Sequence, residues 1–246
     1  MTTDPRTEEL RAWLARICPD AAGTLTPIAG DASFRRYFRI ATPAGDRIVM
    51  DAPPDRESTG PFVDIAGRLA AAGVTAPAIL ASDGERGFLL LSDLGDRLYL
   101  DELDERSADG LYDDALAALV RMQADITTAG LPPYDAARLD AEMDLFPVWF
   151  LGEHLGLDTA VIGDEPATTF AALTAAALEQ PRVFVHRDYH SRNLMVLAHG
   201  NPGILDFQDA VAGPVTYDLV SLLRDCYIRW PDDRVSDWIE RYRRAA

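Results

Sequence analysis

Three oxygen-bearing side chains in the C-terminal third of the chain have types and spacing suited to phosphoryl transfer. Asp188 and Asn193 lie five residues apart in His-Arg-Asp-Tyr-His-Ser-Arg-Asn, and Asp206 follows in Leu-Asp-Phe. The carboxylate of Asp188 can accept the proton of an attacking hydroxyl. An amide oxygen and a carboxylate are hard ligands that suit magnesium bound to nucleotide phosphates, so Asn193 and Asp206 are the candidate metal ligands. The pattern predicts an enzyme that uses ATP and Mg²⁺.

Each of the three residues alone also fits a structural interpretation. Asp188 and Asn193 are common turn residues, and Asp206 could cap the end of a strand. Apolar stretches at 183–185 and 203–205 precede the two motifs, as expected if short strands lead into them. The combination of spacing and preceding strands favours the catalytic interpretation.

A second candidate site is the stretch of residues 30–39, between the first two predicted strands. Its glycine and alanine allow close backbone approach, and its serine offers a hydroxyl and an N–H group to phosphate oxygens. The nucleotide contacts predicted here are Gly30, Asp31, Ala32, Ser33, Arg35 and Arg36. In an extended strand Arg35 and Arg39 share one face and Arg36 points to the other. A plain turn with solvated arginines is the alternative.

The apolar strand at 88–91 runs into a turn that is a candidate site for adenine. Backbone N–H and C=O groups there could pair with the adenine edge. The residues concerned are Leu91, Ser92, Asp93 and Leu94. Any buried strand that ends in Asp-x-Gly looks similar, so this pattern is weak by itself.

Composition excludes several classes of function. The formal net charge of −17 disfavours a nucleic-acid or anionic-membrane surface. The chain has two cysteines, so no disulfide framework is expected. It has no signal-like N-terminus and no apolar run long enough to span a membrane. We therefore expect a cytoplasmic monomer whose partner is a small molecule.

Hydrophobic periodicity predicts an α+β protein with two lobes. A helix at 4–18, five short strands and one inserted helix at 61–72 form an N-terminal lobe. The predicted strands are 25–28, 34–40, 47–50, 78–80 and 88–91. Helices at about 111–122, 140–155 and 167–179, a hairpin at 194–205, a helix capped by Thr216 and a last helix from Pro231 form the C-terminal lobe. The predicted domains are 1–95, which binds nucleotide, and 96–246, which carries the catalytic loop and the acceptor-binding site.

Residues 186–193 and 205–210 resemble the aminoglycoside/choline-kinase branch of the protein-kinase-like fold. Residues 30–39, 49–54 and 213–225 look most like the bacterial cell-wall sugar 1-kinases, and the resemblance covers about residues 24–230. It implies an antiparallel five-stranded N-lobe, a mainly helical C-lobe, Asp188 as catalytic base, and metal binding by Asn193 and Asp206. It also implies phosphorylation of N-acetylmuramate or N-acetylglucosamine at the anomeric hydroxyl, with the sugar 1-phosphate feeding UDP-sugar synthesis in peptidoglycan recycling.

The chain departs from the family pattern at two places, one in the predicted nucleotide site and one in the C-lobe that would bind the sugar. Most kinases hold the nucleotide phosphates with a lysine on the third strand, whereas this chain contains no lysine and that strand reads Ile-Val-Met-Asp. We expect an arginine of the 30–39 stretch to replace it, since arginine pairs bidentately with phosphate. Family members also usually continue with further helices beyond the position of Trp230, so we expect the C-lobe to be truncated here.

Four further residues are assigned to the acceptor side of the site, and two more are assigned structural roles. The expected sugar contacts are His190, Arg224, Glu142 and Trp149, because an aromatic ring suits a pyranose face and an arginine suits a carboxylate. Each also fits a core or surface position. His186 is expected to be structural, and Asp218 to accept N–H bonds from the catalytic loop or to stabilise a helix N-terminus.

Two other functions remain open from the sequence. One is a kinase of the same fold for an aminoglycoside or amino alcohol, because an acidic protein attracts cationic acceptors. The other is a nucleotide-binding pseudokinase, which the missing lysine suggests and the intact Asp188, Asn193 and Asp206 argue against.

Overall fold

A computed structural model describes residues 4–21, 25–28, 34–158 and 165–246. The chain forms two compact units. The first unit consists of Met1–Ala115 and Arg192–Asp209, and the second of Leu116–Ser191 and Ala210–Ala246.

The described strands, in chain order, are β1 (Thr26–Ile28), β2 (Arg36–Ile40), β3 (Arg47–Asp51), β4 (Ile79–Asp83), β5 (Phe88–Ser92), β6 (Arg182–Val185), β7 (Leu194–Met195), β8 (Gly203–Ile204) and β9 (Val211–Pro214). The described α-helices are α1 (Pro5–Ile17), α2 (Gly60–Ala71), α3 (Tyr99–Glu102), α4 (Ala108–Asp125), α5 (Ala136–Met143), α6 (Glu165–Leu178), α7 (Tyr217–Leu223) and α8 (Asp232–Ala245). A short 3₁₀ turn covers Pro19–Ala21, and a π-helix covers Phe146–His154.

The first unit is built on one antiparallel sheet of five strands, in the order β1-β2-β3-β5-β4. On one face, Ile40 and Val49 pack with Trp13 of α1 in a buried apolar core. Residues alternate across a strand, so Tyr37 and Arg39 point to the opposite face, where they line a cavity. This sheet and the inserted helix α2 confirm the predicted N-lobe.

The hairpin of β7 and β8 belongs to the first unit although it follows the catalytic loop in sequence. The N–H of Val196 donates to the carbonyl of Arg97 at 2.7 Å, and the N–H of Ile204 to that of Thr75 at 2.8 Å. These bonds explain why the compact units do not follow a single break after residue 95.

The second unit is mainly helical around the two-stranded sheet of β6 and β9. Tyr134, Leu139, Val185 and Val211 form a buried cluster there. At the end of the chain, the hydroxyl of Tyr242 in α8 donates to the side chain of Gln123 in α4 at 2.6 Å. The mainly helical character agrees with the predicted C-lobe.

Two local predictions were wrong. The expected helix at 140–155 is divided, because α5 ends at Met143 and the following segment is wound as a π-helix. Pro147 lies near the start of that segment and has no N–H to donate to an α-helical hydrogen bond. Thr216 precedes α7 without capping it, since its hydroxyl contacts the side chain of Gln180 at 2.8 Å.

None of the helices among the described residues is long and apolar enough to cross a membrane.

Candidate active site

The register of the β7–β8 hairpin brings the two predicted metal ligands to the same end of that hairpin. Leu194 pairs with Ile204, and just beyond this pair the N–H of Leu205 donates to the backbone carbonyl of Asn193 at 2.9 Å. Asp206 is the next residue. Residues thirteen positions apart in sequence are thus neighbours in the first unit.

Asp206 has a constrained backbone and a supported side chain. Its φ of 57° lies in the left-handed region, which a non-glycine residue adopts at a cost on the order of 1–3 kcal/mol. The side-chain amide of Gln208 donates to Oδ1 of Asp206 at 2.8 Å and to Asp209 at 3.2 Å. The surrounding contacts therefore hold this carboxylate in an otherwise unfavourable conformation.

Arg35 lies close to the Asp206 carboxylate and pairs with a second one. Its Nε is 2.5 Å from Oε2 of Glu57, and its Nη1 is 3.9 Å from Oδ1 of Asp206. It also hydrogen-bonds Tyr37, whose hydroxyl pKa is raised mainly by burial. One guanidinium thus lies close to both Glu57 and the candidate metal ligand Asp206.

Tyr37 and Asp206 border a cavity of about 360 Å³ in the first unit. Its apolar lining includes Ile48, Phe62, Leu91, Met195 and Phe207. Polar lining comes from both candidate metal ligands, Arg39, Arg192, Ser92 and Asp93. An apolar slot with a polar end suits a base attached to phosphates.

Arg36 lies on the other face of the sheet. Its guanidinium donates to the carboxylates of Asp51, at 2.9 Å, and Asp4, at 2.6 Å. Asp51 is fully buried and also accepts a hydrogen bond from Arg6 at 2.8 Å. This network ties α1 to β2 and β3, which favours a stabilising role for Arg36 over a nucleotide contact.

Arg39 is on the cavity face, as the strand alternation predicts, but two carboxylates occupy its guanidinium. It contacts Asp93 and Asp96, each at 2.6 Å. Asp93 also accepts the N–H of Gly95 at 2.8 Å, and the N–H of Ser92 donates to the carbonyl of Ala78. The remaining predicted nucleotide contacts, Gly30, Asp31, Ala32 and Ser33, lie outside the described residues.

In the second unit, a fully buried carboxylate holds the start of the catalytic loop. Asp218 accepts the N–H of His186 at 2.7 Å and the N–H of Arg187 at 3.0 Å. Arg187 has a φ of 82°, and the N–H of the following Asp188 reaches Nδ1 of His186 at 3.3 Å. The side chain of Asp188 is exposed. The loop backbone is thus fixed immediately before the candidate base.

Burial raises the pKa of the Asp218 carboxyl to about 7. This value also includes a smaller rise caused by the negative charge of Asp188 and a decrease caused by the two backbone N–H donors of the loop. The protonation of Asp218 is therefore coupled to the conformation of the loop and to the charge of Asp188.

A second buried carboxylate, Asp225, holds the other end of the same loop. It accepts the N–H of Ser191 at 2.9 Å and the hydroxyl of Ser191 at 2.5 Å. Its other oxygen accepts the N–H of Tyr227 at 2.8 Å, and the Tyr227 ring lies edge-on to His190. This carboxylate therefore joins the loop to the turn that follows α7.

Glu142 lies in a network with the catalytic loop. It accepts hydrogen bonds from Arg187 at 2.7 Å, from Tyr217 at 2.9 Å and from Tyr134. The pKa of Glu142 is lowered: burial raises it, but the bonds from Tyr134, Arg187 and Tyr217 outweigh this effect. These partners favour a role in positioning Arg187 over direct sugar binding.

The structure does not group the other expected sugar contacts around one cavity. Trp149 is exposed on the π-helix, with 62% of its surface accessible. Arg224 is exposed at the end of α7 and pairs with Asp232 at 2.8 Å. Their roles in sugar binding remain predictions. A larger cavity of about 530 Å³ between α5 and α6 is lined by none of the predicted site residues.

Comparison with known proteins assigns the family. Residues 24–246 match the phosphotransferase enzyme family. This chain is a member of that family.

Two relatives in sequence and one solved structure are similar to this phosphotransferase over nearly its whole length. It is 49% identical to the N-acetylmuramate/N-acetylglucosamine kinase of Pseudomonas aeruginosa, covering 100% of this chain and 76% of the relative. It is 45% identical to the protein of that name from Pseudomonas putida, covering 97% and 74%. An ADP-bound aminoglycoside phosphotransferase, APH(2″)-Ib, shares the fold with a TM-score of 0.68 at 16% identity, covering 96% of this chain and 81% of the other.

Sequence reasoning assigned no role to three residues of the phosphotransferase site. Glu57 lies in a loop without periodicity, Gln208 looks like an ordinary strand-end residue, and Asp225 resembles a solvated helix-end carboxylate. The one usable signal was the spacing of Asp218 and Asp225, which lie seven residues apart around α7. Only the fold shows that both carboxylates hold one loop.

Proposed function

We propose that this phosphotransferase uses ATP to phosphorylate N-acetylmuramate and N-acetylglucosamine at the anomeric hydroxyl. The observation that supports this proposal most strongly is the 49% and 45% identity, over nearly the whole chain, to two kinases named for these sugars. The reaction takes place in the cytoplasm, where ATP is available, and a monomer suffices. The product is a sugar 1-phosphate, which would be consumed when a nucleotidyl group is transferred from a nucleoside triphosphate to its phosphate, giving the UDP-sugar and pyrophosphate.

Asp188 acts as the base in this proposal. Its carboxylate is exposed to an incoming hydroxyl, while Asp218 and Asp225 fix the backbone on both sides of it. The anomeric oxygen forms a bond to the γ-phosphorus, the bond between that phosphorus and the β–γ bridging oxygen breaks, and the hydroxyl proton passes to Asp188. ADP leaves with the electron pair of the broken bond.

Asn193 and Asp206 would hold Mg²⁺ together with the phosphates. The described residues contain no group of three His, Cys, Asp or Glu side chains able to bind a metal. One carboxylate and one amide at neighbouring positions fit an ion that takes most of its ligands from phosphate and water. When bound, Mg²⁺ would supply positive charge to the β- and γ-phosphate oxygens.

Arg35 takes the place of the missing lysine. Its Nη1 lies 3.9 Å from Oδ1 of Asp206, which lines the cavity, whereas Arg36 is bonded to Asp51 on the opposite face of the sheet. Adenine would occupy the apolar part of the cavity. Because the Ser92 amide already donates to Ala78, the backbone beyond it, at Asp93 and Leu94, is the better candidate for the adenine edge.

The acceptor preference is tested with purified protein, labelled ATP and Mg²⁺. We expect label transfer to N-acetylmuramate and N-acetylglucosamine, and none to their 1-O-methyl glycosides, whose anomeric oxygen is blocked. Kanamycin and choline serve as cationic acceptors. Transfer to these alone would replace the proposal with an aminoglycoside or amino-alcohol kinase, and nucleotide binding without transfer to any acceptor would indicate a pseudokinase.

A further inference from the structure

Glu57 makes two contacts at the point where the described chain resumes after residue 33. Its Oε2 is 2.5 Å from Nε of Arg35, and its Oε1 accepts the N–H of Phe34 at 3.1 Å. The side chains of Arg35 and Glu57 are only 14% and 17% exposed. One carboxylate therefore restrains both the guanidinium and the backbone beside it.

The distances indicate which carboxylate controls Arg35. The Coulomb energy of an ion pair varies inversely with distance. At equal permittivity, the attraction energy between Arg35 and Glu57 at 2.5 Å is therefore roughly 1.6-fold that between Arg35 and Asp206 at 3.9 Å. Low exposure limits screening by water and salt, which keeps this difference effective. If the Glu57 charge were removed, Asp206 would be the one of these two carboxylates that still attracts the guanidinium.

Movement of the Arg35 guanidinium onto Asp206 would affect the binding of both the divalent cation and the nucleotide. A guanidinium drawn onto Asp206 would compete with a divalent cation for the same oxygens. It would also leave the position from which it can meet nucleotide phosphates. Glu57 lies in the loop before α2, and its contact with Arg35 is shorter than the contact between Arg35 and Asp206.

We propose that Glu57 is a positioning residue that holds Arg35 ready for the nucleotide phosphates and keeps it off the metal ligand Asp206. This proposal rests on the proposed use of ATP and Mg²⁺ but not on the identity of the sugar. It gives this chain, which lacks lysine altogether, an arginine–glutamate pair for phosphate binding.

The variant Glu57→Gln tests the proposal, because it removes the charge while keeping the shape and an acceptor for Phe34. We expect the dissociation constant for Mg²⁺–ATP, measured by calorimetry without any acceptor sugar, to rise on the order of ten-fold. We also expect the Mg²⁺ concentration for half-maximal binding of ATP to rise. The control is Asp64→Asn, which removes the charge of a carboxylate paired with Arg68 on the surface of α2. Its binding constants should match those of the unchanged protein.

The double variant distinguishes positioning from general support of the fold. If Glu57 acts through Arg35, Arg35→Ala and Arg35→Ala/Glu57→Gln will bind Mg²⁺–ATP equally, and the added Mg²⁺ requirement will disappear in both. Additive losses, or a Glu57→Gln variant that binds like the control, would overturn the proposal. Loss of melting temperature with unchanged affinity would do so as well. Since binding is read without acceptor, a failure to phosphorylate sugars leaves this test intact.

Discussion

Asp218 is a buried carboxylate whose protonation state depends on its neighbours. Burial raises its pKa to about 7, and the charge of Asp188 contributes to the shift. Its partners are backbone N–H groups, which hydrogen-bond a carboxylate well and a protonated carboxyl less well. The proton of the Asp218 carboxyl therefore affects both the stability of the fold and the loop that carries Asp188.

The pH dependence of stability follows from the direction of this shift. The native pKa lies above the ordinary value of 3.8, so between about pH 4 and pH 7 the native state holds a proton that the unfolded state releases. The contribution of Asp218 to stability is thus largest at low pH and falls as the pH rises through this window. We expect the difference in free energy of unfolding between the unchanged protein and Asp218→Asn to decrease from pH 4 to pH 7, as measured by urea unfolding.

A second variant separates the two causes of the shift. Asp188→Asn removes the neighbouring charge, so the native pKa of Asp218 should fall and the pH window should become narrower from its upper end. A difference that stays constant with pH in both backgrounds would mean that Asp218 is ionised throughout.

The end of α7 and the turn that follows it form the element that holds the far side of the catalytic loop. Asp225 accepts the Ser191 N–H and hydroxyl as well as the Tyr227 N–H. Asp225→Ala should lower the free energy of unfolding by about 1–3 kcal/mol for each donor left buried and unpaired. It should also lower kcat, because the loop that carries Asp188 loses the restraint at Ser191.

Urea unfolding and steady-state kinetics with the sugar acceptor measure these two effects. Asp232→Asn is the matched control, since this carboxylate follows the same turn but is exposed and pairs with exposed Arg224. We expect no measurable change in the control. Equal behaviour of the two variants would show that Asp225 does not restrain the loop.

The accuracy of the sequence predictions varied from element to element for physical reasons. The five strands and α2 could be predicted because alternation and helical spacing are local properties of a half-buried segment, as at β2 and β3. The division of the 140–155 helix was missed because apolar periodicity continues through Pro147, although the α-helical pattern of hydrogen bonds does not.

The candidate site shows the same difference between local and non-local information. The types and spacing of Asp188, Asn193 and Asp206 were readable, because a loop and a hairpin are encoded in short stretches. The partners Glu57 and Asp225 lie 22 and 34 residues from the groups they contact, Arg35 and Ser191. No local pattern specifies such pairs.

At the scale of the whole molecule, many of the exposed large apolar side chains among the described residues lie in residues 145–157, here called the apolar segment. Leu145, Val148 and Trp149 are 53%, 55% and 62% exposed, and Leu155 and Leu157 are about half exposed. Contiguous exposed apolar surface promotes association of otherwise well-folded chains.

Polar substitution of the apolar segment should therefore reduce association. We expect Leu145→Gln/Val148→Thr/Trp149→Gln to give less concentration-dependent light scattering and less binding of a hydrophobic dye. The free energy of unfolding should stay nearly constant, because these side chains are mostly exposed. Glu153→Gln, in the same segment, is the control, because it changes an exposed side chain and leaves the apolar surface intact. Unchanged scattering in the triple variant would count against an associating surface here.

The placement of the β7–β8 hairpin in the first unit has a consequence for synthesis on the ribosome. Thr75 and Arg97 find their backbone partners in Ile204 and Val196, which emerge about a hundred or more residues later. Closing so long a loop is slow compared with forming the local strand pairs. The first unit therefore stays incomplete until these two backbone hydrogen bonds form, and the candidate magnesium ligands Asn193 and Asp206 arrive with the same hairpin.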